Sequence, residues 1–244
     1  MMKKVVLAAL LAGLSLSATA AQTIRFATEA SYPPFEFVGT DNKIRGFDVD
    51  LANALCSEMN ATCTFTNQAF DSLIPSLKFR RFDAVMAGMD ITPEREKQVL
   101  FTKAYYDNSA LFIAQKGKIT SVDALKDKRV GVQNGTTHQK YLMEIMTGIK
   151  TVPYDSYQNA ILDLKNGRID AVFGDTAVVN EWLKQNTNLA PVGEKVTDKA
   201  YFGTGLGIAV RQGNNELQNQ FNTALEKVKA NGTWKTIYSK WFPQ

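Results

Sequence analysis

The chain has 244 residues, 45% hydrophobic and 21% charged, with a formal charge of +4. That balance fits a soluble protein of one large core or two smaller domains, and it excludes low-complexity or long disordered tracts. No Lys/Arg block and no basic–aromatic interleaving points to nucleic acid.

The first residues stand apart. Met1-Met2-Lys3-Lys4 is a short positive start, residues 5–14 are apolar, and Ala18-Thr19-Ala20 ends a small, mildly polar stretch. This is the layout of a secretory signal peptide over residues 1–20, cleaved after Ala20 or one residue later, with an apolar run too short to span a bilayer comfortably. No lipobox cysteine follows, so the product is expected to be soluble. Removing Lys3 and Lys4 lowers the formal charge from +4 to +2, so the basic balance says little. Cys56 and Cys63 both lie in the exported part. Export permits a disulfide and an even count fits one; two buried free thiols are the alternative.

Residues 23–28 read as a strand, and Pro33-Pro34 forbids regular structure in the turn 29–34. Residues 49–59 read as a helix with Val49, Leu51, Ala52, Leu55 and Met59 near one face. A strand at 62–67, a helix at 70–78 despite Pro75 and a strand at 82–87 follow. This alternation predicts an α/β fold with a mostly parallel sheet and helices on its faces. A second series has strands at 110–114, 129–133, 150–153 and 171–174, and helices at 121–125, 138–146, 156–166 and 176–185. A strand at 207–210 and helices at 216–230 and 233–241 close the chain.

One unit occurs twice. Residues 73–85 run from a helix through a basic turn into Phe82-Asp83-Ala84-Val85, and residues 160–172 do the same into Ile169-Asp170-Ala171-Val172. Each then reaches a glycine and an aspartate, Gly88 and Asp90 or Gly174 and Asp175. The repeat suggests two similar α/β lobes. Ligands of open α/β sheets sit beyond the carboxyl ends of strands, so both glycine–aspartate ends are site candidates.

Thr92-Pro93-Glu94-Arg95 carries helix-start signals, with Thr92 as cap and Pro93 at the first position. Free N–H groups there favour an anion, and Arg95 adds a planar fork that holds a carboxylate bidentately. An ordinary salt bridge from Arg95 to Asp90 or Glu94 is equally open. In Asn134-Gly135-Thr136-Thr137, Thr137 either caps the next helix or offers its hydroxyl to a ligand; the phosphate-loop pattern is absent. Glu29, Asp90 and Asp175 lie at or beside strand ends, where they bind a cation or act as caps. Tyr32, Phe35 and Phe70 lie close to such ends, as aromatic faces for a cation or as core. His138 is the single histidine. It cannot form a multi-histidine metal site, no G-x-S-x-G accompanies it, and a surface position is expected. Tyr154, Tyr157, Trp182, Trp234 and Trp241 are expected to pack, with Trp241-Phe242 anchoring the last helix.

Tyr32-Pro33-Pro34-Phe35-Glu36, Gly46-Phe47-Asp48-Val49-Asp50-Leu51-Ala52, Phe70-Asp71-Ser72-Leu73-Ile74-Pro75-Ser76-Leu77, the run from Gly88 to Arg95, and Gly135-Thr136-Thr137 appear in order. Together they resemble the bacterial periplasmic amino-acid-binding proteins of ABC importers, over essentially the whole mature chain. Residues 88–95 with residues 174–183 are most similar to the arginine-binding members. The resemblance implies a type II two-lobed periplasmic binding protein with two hinge strands. Lobe 1 would take residues 21–107 plus 207–244, and lobe 2 residues 108–206. It also implies the Cys56–Cys63 disulfide, L-arginine as ligand, an inner-membrane ABC permease as partner, no cofactor or metal, and an open monomer when unliganded.

By the same resemblance, Arg95 grips the ligand α-carboxylate with help from Thr137, and Asp175 takes the α-ammonium. Glu29 faces the ligand side chain, which Tyr32 and Phe70 sandwich. His138 stands where relatives often carry glutamine, near the α-carboxylate. Where the lysine/arginine/ornithine and histidine binders have serines, this chain has Ala87, Gly88 and Asp90, so those hydroxyl contacts would be lost, or replaced by backbone N–H groups of the Gly88-Met89-Asp90 segment. Gln133 replaces a leucine and adds polarity near the side chain. A zwitterion needs one cation and one anion, which Arg95 and Asp175 supply; Glu29 is then left for a cationic side chain. Two other readings are a broader basic amino-acid binder and a periplasmic cyclohexadienyl-type dehydratase that uses Glu29 or Asp175 as acid or base.

Overall fold

Two five-stranded sheets carry the chain in a computed structural model that describes residues 22–202 and 204–243. The expected signal peptide and its cleavage site lie outside the described residues. Among the described residues, no helix is long and apolar enough to cross a membrane.

The first part comprises β1 (Gln22–Thr28), β2 (Ser31–Tyr32), β3 (Glu36–Val38), β4 (Ile44–Arg45), α1 (Phe47–Glu58) and β5 (Ala61–Asn67). A 3-10 turn (Phe70–Ser72), α2 (Leu73–Lys78), β6 (Ala84–Val85), α3 (Pro93–Glu96) and β7 (Val99–Phe101) follow. The chain then crosses to β8 (Ala110–Gln115), a 3-10 turn (Asp123–Leu125), β9 (Arg129–Gln133), α4 (Thr137–Glu144) and β10 (Lys150–Tyr154). It continues through α5 (Tyr157–Lys165), β11 (Ala171–Asp175), α6 (Thr176–Gln185) and β12 (Leu189–Val196), and returns to β13 (Ala209–Arg211), α7 (Asn215–Ala230) and α8 (Thr233–Trp241).

The sheets have equivalent orders, β5-β1-β6-β13-β7 and β10-β9-β11-β8-β12. The repeated unit occupies the same place in each, as α2–β6 and α5–β11. Its aspartate closes the same bond pattern both times. The Asp83 carboxylate accepts the Arg25 N–H at 3.0 Å and the Asp83 N–H returns to the Arg25 carbonyl at 2.9 Å. Asp170 does the same with Arg129, at 2.8 Å each way.

The sheets are mixed rather than mostly parallel. β1 is parallel to β5 and β6, and β9 to β10 and β11. β13 and β8 run antiparallel to their neighbours. Those two strands enter directly from the other sheet, so no βαβ crossover constrains their direction. The crossing segments lie side by side: the Leu206 N–H donates to the Tyr106 carbonyl and the Tyr105 N–H to the Leu206 carbonyl, both at 2.9 Å. Five strands escape the sequence periodicity, among them β2 and β4 of two residues each. β3 and β7 are three residues each, and β12 contains Pro191 and Gly193. An edge strand tolerates that proline because one side of its backbone needs no partner.

Helix formation follows local chemistry. Pro75 sits in the first turn of α2, where its missing N–H has no intrahelical acceptor to lose. In α7 the Asn214 side chain caps the start and Leu217, Phe221, Ala224, Leu225 and Val228 form one buried face. Trp241 anchors α8 as expected, its indole N–H donating to Asp50 Oδ2 at 2.8 Å, while Phe242 packs on Phe35 and Phe47.

Cys56 and Cys63 form the disulfide, joining α1 to β5. Closing so short a loop stabilises by about 2–3 kcal/mol on chain-entropy grounds. Reduction should lower Tm by roughly 4–12 °C at this size, measured by calorimetry with and without reductant.

Candidate ligand-binding site

The carboxyl ends of β1, β6, β9 and β11 face a common cleft. There a cavity is lined by Glu29, Tyr32, Phe70, Gly88, Asp90, Arg95, Gln133, Thr137, His138 and Asp175, and also by Glu36, Thr136 and Tyr157. Ten of the residues singled out in the sequence therefore come together. Met89 is not among them: its side chain packs with Leu73, Leu77 and Val99. The bend at Gly88 and the bridge from Asp90 to Leu206 set this segment so that Gly88 and Asp90 line the cleft while Met89 lies in the core.

Arg95 is buried. Its own N–H donates to the Thr92 hydroxyl at 3.2 Å, the expected cap. α3 has only four residues, so little macrodipole opposes the guanidinium. Neither side-chain salt bridge considered from the sequence holds it. Nη1 donates to the Asp90 carbonyl at 2.9 Å and Nη2 to the Gly135 carbonyl at 3.2 Å, across the cleft. Phe70 lies 5.5 Å from its Cζ, so this ring contacts Arg95.

Thr136, not Thr137, caps α4, accepting the Gln139 N–H at 3.2 Å. That frees the Thr137 hydroxyl, which donates to Asp90 Oδ2 at 2.7 Å. His138 is buried, contrary to the surface position expected. The cap turns the first residues of α4 inward, where the imidazole lies among Phe173, Tyr157 and Phe202 with Nε2 3.2 Å from Asp175 Oδ1. Asn108, in the outgoing crossing segment, donates through one nitrogen to Asp90 at 2.7 Å and to Asp175 at 2.6 Å. Tyr32 donates its hydroxyl to Asp175 Oδ2 at 2.7 Å and stacks on Tyr157 at 5.4 Å. Tyr157 is thus a cavity wall as well as packing. Gln133 donates to the Asp155 carbonyl at 3.0 Å. Glu29 accepts from the Ser31 hydroxyl, and burial raises its pKa.

Gly88 has a φ of +52°, and a Cβ there would stand 3.3 Å from the Tyr32 ring. Its N–H is already committed to Asp48 Oδ2 at 2.9 Å. The free volume at the centre of the cavity is about 10 Å³, room for about one water. An amino acid therefore enters only with the two sides of the cleft further apart. A larger groove of about 570 Å³ opens on the outer side of Arg95. Apart from Arg95 its charges are Asp71, Glu94, Lys140 and Glu144, all partly or fully exposed, and the last three pair with one another, so it offers a ligand less than the buried cluster does.

Acids dominate the cavity. Burial, reinforced by Asp175 and partly offset by His138 and Arg95, pushes Asp90 up to about 7. Burial likewise pushes Asp48 up to about 6, against its bonds from Gly88 and Tyr105. Both hold protons more tightly folded than unfolded. Their stabilising contribution is complete below the ordinary aspartate value of about 4 and is lost as pH rises towards about 7. Ligand-stripped protein is therefore expected to melt at lower temperature at neutral pH than near pH 5, and Asp90→Asn to flatten that slope in thermal melts. An equal slope in the variant would exclude Asp90 as its source.

A family model for bacterial extracellular solute-binding proteins, family 3, matches residues 24–244. The chain belongs to this family. Its relatives in family 3 include the putative ABC transporter arginine-binding protein 2 of Escherichia coli K12, 77% identical over 241 residues with 99% of each chain covered. ABC transporter arginine-binding protein 1 of the same strain is 63% identical over 243 residues, with 100% of each covered. A solved Salmonella typhimurium periplasmic binding protein, described for its high arginine specificity, is 53% identical with a TM-score of 0.88, covering 91% of this chain and all of that one. These family 3 relatives are named as binding proteins rather than enzymes, so the dehydratase reading gains nothing from them.

Proposed function

We propose that this chain captures L-arginine in the periplasm and delivers it, as a monomer, to an inner-membrane ABC permease. The observation that carries this reading is the convergence of Arg95, Asp175 and Glu29 in one buried cleft, in a chain whose full-length relatives are named arginine-binding. Residues 21–107 plus 207–244 form one lobe and residues 108–206 the other, and they part and close about the two crossing segments. Arg95 exchanges its carbonyl acceptors for the ligand α-carboxylate, with Thr137 and His138 beside it. Asp175 takes the α-ammonium. Glu29 receives the guanidinium, with Tyr32, Phe70 and Gln133 along the side chain, and the backbone N–H groups of Met89 and Asp90, rather than that of Gly88, complete the carboxylate end. Arginine is favoured over lysine because its planar fork stacks on rings and pairs with two acceptors.

Isothermal titration of refolded, ligand-stripped protein with arginine, lysine, ornithine, histidine and glutamine tests this. Tight one-to-one binding of arginine with weaker lysine is expected. No heat and no Tm shift with any of them would remove the reading. Glu29→Gln should weaken arginine by about tenfold to a hundredfold, the worth of one charge-assisted bond, and leave glutamine little changed. Equal losses for both ligands would show that Glu29 does not read side-chain charge.

A further inference from the structure

Asn108 lies in the segment that leaves β7 for β8, half-buried, and is not among the residues that line the ligand cavity. Its one amide nitrogen donates to Asp90 Oδ1 at 2.7 Å and to Asp175 Oδ1 at 2.6 Å. Asp90 follows β6 of the first sheet, and Asp175 ends β11 of the second. The other oxygen of each acid takes a hydroxyl from the opposite part, Thr137 on Asp90 and Tyr32 on Asp175, both at 2.7 Å. A carboxylate has about four lone-pair sites, so each acid keeps acceptor capacity for a ligand. The backbone that aims the amide is itself fastened: the Ser109 carbonyl accepts the Thr176 N–H at 2.7 Å, and the two hydroxyls of this pair are 2.8 Å apart. Two ionised acids so placed repel each other. Asp175 raises the proton affinity of Asp90, and the bond from Asn108 lowers it.

We propose that Asn108 is a positioning residue that holds Asp90 and Asp175 together for the ligand α-ammonium and so favours the closed cleft. This rests on the arginine reading and the lobe movement above, and extends them. When the lobes part, the two acids separate, and one nitrogen no longer reaches both. When they close, the acids approach before any cation has to be present, and the amide offsets their repulsion with two hydrogen bonds to charged acceptors. The α-ammonium then supplies the charge, and Asn108 sets where the acids stand to receive it. Because it acts on the head that every amino acid shares, it does not read the side chain.

A pH dependence separates this role from simple packing. Asp90 is held up to about 7. Well below that value it is neutral, its repulsion with Asp175 is gone, and its own O–H is a donor, so the amide matters little. Above that value both acids are charged and the amide matters most. The other charged or titratable groups around the pair are Arg95 on α3, His138 on α4, Tyr32 on β2 and Tyr157 on α5, with Tyr106 and Asp107 beside Asn108 on its own segment. All of them stay in place when Asn108 alone is changed, so they cancel in the ratio of variant to wild type.

The test is calorimetric titration of ligand-stripped wild type, Asn108→Ala and Asn108→Asp with arginine, lysine and ornithine, near pH 8 and near pH 5. Asn108→Asp keeps the shape and removes the donor, so it serves if Asn108→Ala does not fold; a thermal melt reports folding for both. Near pH 8 each variant is expected to lose about tenfold to a hundredfold, the worth of one charge-assisted bond, by the same factor for all three ligands. Near pH 5 that loss largely disappears. Wild-type affinity in a folded variant near pH 8 overturns the proposal. A loss of equal size at both pH values also overturns it, because a packing defect does not follow the charge on Asp90. A loss confined to arginine overturns it too, by moving Asn108 to the side-chain end. If the wild type binds none of the three, the function reading fails and this one with it.

Discussion

Arg95→Ala lowers arginine affinity by about a hundredfold or more while the protein stays folded. Removing one partner of a buried charge pair costs about 3–5 kcal/mol, because the other charge is left uncompensated. At 1.4 kcal/mol per factor of ten, that exceeds a hundredfold. In the bound state the stranded group is the ligand α-carboxylate, next to Asp90 and Asp175, whose negative charge worsens the loss. Closure suffers as well, since the bond from Nη2 to the Gly135 carbonyl crosses the cleft. The fold should survive because α3 is a single turn capped by the Thr92 hydroxyl through the backbone N–H of residue 95, which alanine retains. Titration and a thermal melt decide together. Unchanged affinity would remove Arg95 from the carboxylate role, and a collapsed melt would make its role structural. Arg95→Lys is expected to recover little, because a point charge cannot reproduce the planar fork.

Asp175→Asn has the second largest expected effect, again about a hundredfold for every amino acid tested. The side chain keeps its shape, and its one remaining oxygen accepts from the Asn108 amide while its new amide nitrogen donates to the Tyr32 hydroxyl, where Asp175 accepted from each on a different oxygen at 2.6 and 2.7 Å. The charge that meets the α-ammonium is lost. The neutral variant also relieves repulsion on Asp90, which Asp175 helps to hold near 7, so ligand-free stability at neutral pH should rise while affinity falls. That opposition is diagnostic. If affinity and stability fall together, Asp175 acts mainly by holding Tyr32 and Asn108 in place. Loss confined to arginine, with glutamine spared, would move Asp175 from the ammonium to the side-chain end.

Much of this protein is legible without coordinates. The apolar face of α1, the helix α7, the strands β1, β5, β9 and β11, and the repeated helix–turn–strand unit all rest on periodicity and turn chemistry within some fifteen residues. Glu29, Tyr32, Phe70, Gly88, Asp90, Arg95, Thr137 and Asp175 are legible the same way, because they sit at strand ends and helix starts, where an α/β sheet places its ligands, whereas Gln133 and His138 join the site only through the resemblance. The family resemblance added their roles and the disulfide.

What the sequence left open depends on which distant segments meet. Tyr32 and Asp175 are 143 residues apart, and Thr137 and Asp90 are 47 apart, yet each pair shares a hydrogen bond. No local pattern marks Asn108 as the bridge between two aspartates, buries His138 among three aromatic rings, or turns Met89 away from its neighbours. Glu36 looks like an ordinary acid after a proline turn; only the packing of β3 against α1 buries it beside Asp48. Side-chain period and capping are local properties that residue order determines. Burial, partner and proton affinity belong to the assembled cleft, because desolvation and Coulomb interaction act through space and not along the chain.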